Sequence, residues 1–128
     1  MKKEDCFFCD KNNKEKHQII AENDFFYSRW DDFPVSEGHA EIVHKDHIES
    51  FFDLSEKEVL QMYDVLRETK KIIFEKYNPD ACNVGVNEGR AAGRTIHHLH
   101  IHIIPRYEGD VENPRGGILN IIPGKGDY

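Results

Sequence analysis

The most regular pattern of polar and apolar positions in the chain lies at residues 98–104, where histidines alternate with branched apolar side chains. Side chains of an extended strand point to opposite faces in turn, so this alternation predicts a half-buried β-strand. The imidazoles of His98, His100 and His102 would share one face, about 6.6 Å apart from one to the next. The apolar residues between them are expected to point into a core, and they are Leu99, Ile101 and Ile103.

Shorter runs of β-branched and aromatic residues predict four further strands, at 19–21, 25–28, 38–44 and 81–87. The first two are separated by a short polar turn and would form a hairpin. We expect the last of them to pair antiparallel with the histidine strand across the glycine-containing loop 89–95. That pairing would bring Asn87 and Thr95 to one end of the strands, near the imidazoles.

One long helix is predicted between the third and fourth strands. Ser55 and Glu58 have the spacing of a capping box, in which each side chain satisfies a backbone donor at the start of a helix. Apolar residues then recur every three or four positions as far as Tyr77, and Pro79 ends the pattern.

These elements predict a single α+β domain spanning residues 1–128, with one long helix packed on an antiparallel sheet of about five strands. Its core would lie within residues 6–106. Residues 107–128 contain so many glycines and prolines that we expect an irregular tail. The polar segment 10–16 is expected to form a loop or short helix.

Composition excludes several classes of protein. A chain of 128 residues is long enough for one core, and a formal net charge of -7 argues against binding to a nucleic-acid backbone. No apolar run approaches the roughly 20 residues of a membrane span, and no signal peptide is indicated. We therefore expect a soluble cytoplasmic protein without nucleic-acid or membrane partners. In that reducing compartment, Cys6 and Cys9 at a C-x-x-C spacing favour metal binding over a disulfide.

Three interpretations of the histidine strand are open from its residues alone. The simplest is a polar strand face without chemistry. The second is a catalytic metal centre, because imidazole is the commonest metal ligand in proteins, although no carboxylate alternates with these histidines. The third is nucleophilic catalysis, in which one imidazole attacks phosphorus while its neighbours orient it and move protons. Histidine suits that role because its ordinary pKa of about 6.5 leaves it largely neutral at pH 7.

Residues 98–104 resemble the histidine-triad motif of the histidine-triad (HIT) family of nucleotide hydrolases and transferases. The resemblance extends over residues 6–106. Further matches, in the order and spacing of the family, are Gly38-His39, Lys45-x-His47, Asn87-x-Gly89, Gly93-x-Thr95 and Pro105-Arg106. The resemblance also implies a homodimer, whose sheet continues from one chain to the next through the helix and a central strand.

The resemblance implies a role for each histidine of the site. His100 resembles the nucleophile that forms a covalent nucleotidyl-histidine intermediate, and His102 is similar to the residue that assists at the leaving group. His98 and His39 would support and orient this centre. His100 would then attack the α-phosphorus of an adenine or related purine nucleotide, and hydrolysis would release a nucleoside monophosphate.

Contacts to the nucleotide are implied in the same way. Asn87, Gly93 and Thr95 match the loop that binds the α-phosphate, and donors of this kind stabilise charge that develops in the transition state. Asp31 matches the acidic residue that accepts hydrogen bonds from the ribose hydroxyls. The next residue is usually apolar in the family, whereas here it is Asp32, which leaves the base contacts open.

Arg94 stands where the family usually has glutamine. Its guanidinium would bring a fixed positive charge to several phosphates, unless it points to solvent or pairs with a surface acid. Residues 105–110 also resemble the dinucleoside polyphosphate hydrolases of the family. A dinucleoside polyphosphate is therefore the predicted substrate, and Mg²⁺ could accompany it.

The resemblance extends to a zinc site. In members that carry the cysteine pair, a histidine after the third strand and the first triad histidine complete the site, which here implies Cys6, Cys9, His47 and His98. Four protein ligands leave no open position, so this zinc would be structural. The alternative is two buried thiols without a metal. His17 is expected at the surface, and His97, expected on the back face of the sheet or facing solvent, is given no role.

Two other functions stay open. One is hydrolysis of a nucleoside phosphoramidate or acyl-nucleotide by the same histidines. The other is a non-enzymatic, zinc-stabilised nucleotide-binding module.

Overall fold

The structure, a computed structural model, describes residues 6–10 and 17–127. The segment 11–16, where a loop or short helix was expected, lies outside the described residues. The strands are β1 (Ile19–Glu22), β2 (Phe26–Trp30), β3 (Ala40–His44), β4 (Ala81–Gly85) and β5 (His100–Arg106), and the long helix is α1 (Glu56–Tyr77).

The five strands form one antiparallel sheet in the order β1-β2-β3-β5-β4. This confirms the predicted α+β fold, the hairpin of β1 and β2, and the pairing of β4 with the histidine strand. The register places Glu41 of β3 opposite His102, and Arg29 of β2 opposite Glu41. Three neighbouring strands therefore bring polar side chains to one region of the sheet.

Helix α1 begins and ends as the sequence predicts. The Ser55 hydroxyl accepts a hydrogen bond from the Glu58 N–H at 3.2 Å, and the Glu58 carboxylate accepts one from the Ser55 N–H at 3.0 Å. Asn78 ends the helix in the left-handed conformation, with a φ of 51°. The face of the helix that is buried comprises Met62, Val65, Thr69 and Ile73.

The alternation in β5 is seen directly in its burial. Leu99, Ile101 and Ile103 are almost completely buried and join the main hydrophobic cluster, as predicted. Burying one such side chain contributes about 1.5–3 kcal/mol to folding. The regular strand β5 has the predicted length but begins two residues later, at His100, and runs to Arg106, whereas β4 ends at Gly85 and is two residues shorter than predicted.

The tail is less irregular than predicted. A 3₁₀ helix spans Gly117–Ile121, and its first residue lies in the left-handed region that glycine tolerates. Near the start of the tail, the Arg106 guanidinium is bound by the Asp110 carboxylate at 2.7 and 3.0 Å. Within the described ranges, no helix has the length and apolarity that crossing a lipid bilayer requires.

Candidate active site and metal cluster

A cavity of about 320 Å³ lies against the polar face of β5. It brings together seven of the residues that the sequence singled out, namely Asp31, Asn87, Gly93, Arg94, Thr95, His100 and His102. His39 lies directly behind His102, and His98 turns towards the cysteine pair. The three triad histidines therefore serve two adjacent sites.

His100 is held in one tautomer. Its Nδ1 lies 2.7 Å from the backbone carbonyl oxygen of His98, and since a carbonyl can only accept, Nδ1 must carry the proton. The lone pair is therefore on Nε2. Burial lowers the pKa of His100 below its usual value, so the ring is kept neutral at pH 7. A neutral imidazole with an accessible lone pair is a nucleophile.

His102 and His39 form a directed pair. The Val35 N–H donates to Nδ1 of His39 at 3.2 Å, which places the His39 proton on Nε2, 2.9 Å from Nδ1 of His102. Nδ1 of His102 is then the acceptor, and Nε2 of His102 carries a proton that it can donate. Burial lowers the pKa of His102 to about 4, so this ring also stays neutral.

Asp31 lies beside this pair, 3.6 Å from Nε2 of His39. Burial alone would raise its pKa, but the N–H of Phe33, which donates to the Asp31 carboxylate at 2.8 Å, and the nearby His39 hold that pKa below its usual value. The carboxylate is thus ionised at neutral pH and accepts hydrogen bonds at the edge of the cavity.

The loop between β4 and β5 forms the opposite wall. Gly89 and Gly93 have φ values of 94° and 95°, which residues with a side chain rarely adopt. A Cβ atom on Gly93 would meet no other atom within 4 Å, so the backbone here borders open space. The Gly93 N–H donates to the carbonyl of Arg90 at 2.9 Å, so this predicted phosphate donor is already hydrogen-bonded. The other two predicted donors, Asn87 and Thr95, line the cavity.

Arg94 contacts a surface acid, one of the two alternatives that the sequence left open. One guanidinium nitrogen donates to the carbonyl oxygen of Glu49 at 2.8 Å, and another lies 3.6 Å from its carboxylate. Nε donates to His97, which is therefore part of this network. The guanidinium still borders the cavity.

Sequence reasoning missed a buried ion pair in the cavity wall. The Arg29 guanidinium donates to the Glu41 carboxylate at 2.7 Å and lies 3.1 Å from that of Asp32. Burial, and then the nearby Asp31, raise the pKa of Glu41, whereas the Arg29 guanidinium at 2.7 Å opposes this shift and favours the ionised carboxylate. The available signal was two charged residues inside otherwise apolar strands, which the register places beside His102.

The four residues expected to bind zinc converge behind the cavity. Their ligand atoms all lie within 4.8 Å of one another. The Cys6 sulfur is 3.2 Å from Nδ1 of His98, and the Cys9 sulfur is 3.4 Å from Nδ1 of both His47 and His98. A tetrahedral zinc ion with bonds of about 2.3 Å to sulfur and 2.0 Å to nitrogen separates neighbouring ligand atoms by roughly 3.5 Å.

The orientation of His98 also fits a metal ligand. Its Nε2 donates to the carbonyl oxygen of His44 at 2.7 Å, which leaves the lone pair on Nδ1, facing both sulfurs. Burial lowers the pKa of His98 to about 4, so the ring is neutral, as metal binding requires. Two thiols and two correctly oriented imidazoles therefore form a donor set suited to zinc.

Comparisons with a family model and with known sequences point to the same protein family. The model of the HIT domain family matches residues 12–109. An uncharacterized HIT-like protein of Methanocaldococcus jannaschii is 34% identical over 108 residues, which is 84% of this chain and 83% of the relative. The bis(5'-nucleosyl)-tetraphosphatase of Schizosaccharomyces pombe is 30% identical over 77 residues, 60% of this chain and 42% of that enzyme.

Solved structures share the fold. A HIT family protein from Bacillus subtilis matches with a TM-score of 0.77 and 27% identity, over 84% of this chain and 77% of the other. A zinc-bound histidine triad family protein from Mycobacterium smegmatis matches with a TM-score of 0.73 and 28% identity, over 85% and 80% of the two chains.

Proposed function

Because the chain belongs to the HIT domain family, we propose that it is a nucleotide hydrolase or transferase that cleaves its substrate at the α-phosphate. The observation that carries the proposal is the orientation of His100. Its Nδ1–H donates to the His98 carbonyl, so the lone pair is on Nε2. The cavity beside it also contains an acidic group and a glycine-rich loop, as a nucleotide site requires.

The reaction would proceed in two displacements. In the first, Nε2 of His100 attacks the α-phosphorus, a phosphorus–nitrogen bond forms, and the bond from phosphorus to the leaving group breaks. The positive charge that develops on His100 is shared with the His98 carbonyl through the Nδ1–H. His102, which carries its proton on Nε2, would donate a hydrogen bond to the departing phosphate oxygen, which leaves as an anion with the electron pair of the broken bond. Water then breaks the phosphorus–nitrogen bond and releases a nucleoside monophosphate.

The substrate we propose is a dinucleoside polyphosphate with purine bases. The likeness to the Schizosaccharomyces pombe tetraphosphatase and the positive charge of Arg94 at the cavity edge support this choice. Mg²⁺ that accompanies such a substrate would be carried by its phosphate oxygens. A nucleoside phosphoramidate or acyl-nucleotide is the second candidate, since Arg94 is bound by Glu49 and such substrates need no further cation.

We propose that Cys6, Cys9, His47 and His98 bind a structural zinc ion. The orientation of His98 and the zinc-bound neighbour from Mycobacterium smegmatis support this assignment. The ion would fasten the turn Phe7–Cys9 onto the sheet. We further propose a homodimer that joins two sheets through helix α1 and strand β4, which lies at the edge of this sheet and would be a central strand of the joined one.

The experiment that tests the mechanism is mass spectrometry after brief reaction with a panel of nucleotides and acid-free quenching. The expected result is a peptide containing His100 with the added mass of a nucleoside monophosphate. His100→Ala should give no adduct. Nucleotide binding without turnover, unchanged in His100→Ala, would instead identify a non-enzymatic binding module and overturn the proposal.

A further inference from the structure

The wall of the cavity opposite the glycine-rich loop combines flat apolar surfaces with charge. Phe7 and Phe33 line it, and Phe33 is largely exposed. Arg29 and Asp32 line the same cavity. Aromatic faces of this kind suit a planar ring, and the charged pair would lie at the edge of that ring.

Asp32 is the member of this pair that a ligand can reach. The Arg29 side chain is 2% exposed and that of Asp32 is 41% exposed. Arg29 is held by Glu41, and its guanidinium lies 4.9 Å from the centre of the Phe7 ring. A buried and multiply held guanidinium orients the Asp32 carboxylate, with one carboxylate oxygen 3.1 Å from a guanidinium nitrogen.

An oriented carboxylate distinguishes the two purines. It only accepts hydrogen bonds, so it pairs best with two donors side by side. Guanine has such a pair in its N1–H and 2-amino groups. Adenine has one amino group next to the N1 lone pair, which a carboxylate repels.

We propose that Asp32 makes this site selective for guanine nucleotides, by accepting hydrogen bonds from N1–H and the 2-amino group. This inference rests on the proposed function, because it names the base of the nucleotide that His100 would attack. Good paired contacts to a base edge discriminate by about 5- to 150-fold, which sets the size of the expected preference.

The test compares equilibrium binding of three nucleoside monophosphates to the intact, metal-loaded chain by calorimetry. GMP should bind about 5- to 150-fold more tightly than AMP. IMP, which lacks the 2-amino group but keeps N1–H, should bind more weakly than GMP. These measurements need no variant and so do not depend on the folding of one.

A variant of Asp32 then tests whether this residue causes the preference for GMP. Asp32→Asn should bind GMP and IMP equally and lose most of its discrimination against AMP. Asp24→Asn removes an exposed carboxylate in the turn between β1 and β2 and should keep the preference for GMP. Equal or tighter binding of AMP by the native chain, or an unchanged preference in Asp32→Asn, would overturn the inference.

The two proposals fail in different ways. A nucleotidyl adduct on His100 that forms equally from guanine and adenine substrates contradicts guanine selectivity and leaves the mechanism standing. Preferential binding of GMP without any adduct contradicts the mechanism and leaves the selectivity standing. If none of the three nucleotides binds, both are wrong.

Discussion

Nδ1 of His100 donates a hydrogen bond to the backbone carbonyl oxygen of His98, across 2.7 Å. The side chain of His98 meanwhile faces the sulfurs of Cys6 and Cys9. One residue thus orients the proposed nucleophile through its backbone and completes the metal cluster through its ring. His98 therefore connects the candidate zinc site to the candidate catalytic centre, although a zinc ion there would take no part in the chemistry.

The first prediction concerns the nucleophile. His100→Asn should lower kcat by about a thousandfold or more, because the attacking nitrogen is lost, and should leave KM within a few-fold. Steady-state kinetics with a dinucleoside tetraphosphate would measure both constants. His97→Gln, which removes an imidazole outside the triad and keeps a side-chain acceptor for Nε of Arg94, is the matched control and should retain most of the activity.

The second prediction concerns metal removal. A strong chelator should reduce activity slowly, in step with loss of metal and of structure around Cys6, because the zinc acts only through the position of His98. Cys9→Ser should weaken zinc binding at least tenfold, whereas Cys82→Ser, which changes a cysteine outside the cluster, should not. Activity and metal content would be followed together over time. Instant loss of activity, before any structural change, would indicate a catalytic metal instead.

Much of this fold can be predicted from the sequence, because its elements have strong periodicities. The alternation of β5 and the capping box of α1 are local patterns, and both predict the observed elements. His17 could not be placed in this way. It was expected at the surface, but it is completely buried, with its ring centroid 5.1 Å from that of Phe7 and 5.7 Å from that of Tyr27. Those neighbours come from other segments, so its own surroundings in sequence carry no signal.

The candidate site likewise contains residues that the sequence predicts and residues that it does not. Most of the cavity residues could be predicted from the motif around β5, but Arg29 and Glu41 could not. Each is a single charged residue in a short strand, and their pairing depends on the register of β2 against β3. The contact of Arg94 with Glu49 likewise joins residues 45 positions apart. Contacts of this kind are set by the packed structure.

The third prediction separates the two candidate substrate classes. If Arg94 binds the distal phosphates, Arg94→Ala should raise KM for a dinucleoside tetraphosphate by about 10- to 150-fold, the effect of losing a charged hydrogen bond. KM for an adenosine phosphoramidate, which has no distal phosphate, should change little. Glu49→Gln removes the carboxylate charge beside the Arg94 guanidinium. The guanidinium should then bind the phosphates more readily, so KM for the tetraphosphate should fall. Equal effects of Arg94→Ala on both substrates would show that Arg94 supports only the loop.

The fourth prediction concerns pH and stability. Glu58 accepts hydrogen bonds from the Ser55 N–H and, at 2.6 Å, from Nε2 of His44, because Nδ1 of His44 already accepts one from Asp46. The first of these and then the His44 contact hold the pKa of Glu58 below its ordinary value of 4.5. A lowered pKa in the folded state stabilises the fold above pH 4.5, and this stabilisation is lost as the pH falls through the folded value.

Glu58→Gln should therefore lower the free energy of unfolding by about 0.3–1 kcal/mol at pH 7, the typical contribution of a negative charge in the first turn of a helix. The difference from the native chain should shrink towards zero as the pH falls from 4.5 through the lowered pKa of folded Glu58, below which both side chains are neutral. Urea denaturation across this range would measure it. Glu68→Gln, on the exposed face of α1, should give no such trend, and a difference for Glu58→Gln that is constant with pH would contradict the assignment.

The last prediction concerns assembly. Helix α1 exposes Val59, Leu60 and Tyr63 on one side, and the edge strand β4 exposes Val84. Apolar groups on a helix and on an unpaired strand edge are the features by which a second copy could extend the sheet.

Sedimentation equilibrium should give twice the mass of the chain. Leu60→Glu, which places a charge in this surface, should weaken self-association by about thirtyfold or more. Phe52→Glu, at an even more exposed apolar residue outside α1 and β4, should not. A native chain that sediments at its single-chain mass at tens of micromolar would show that the site functions within one chain.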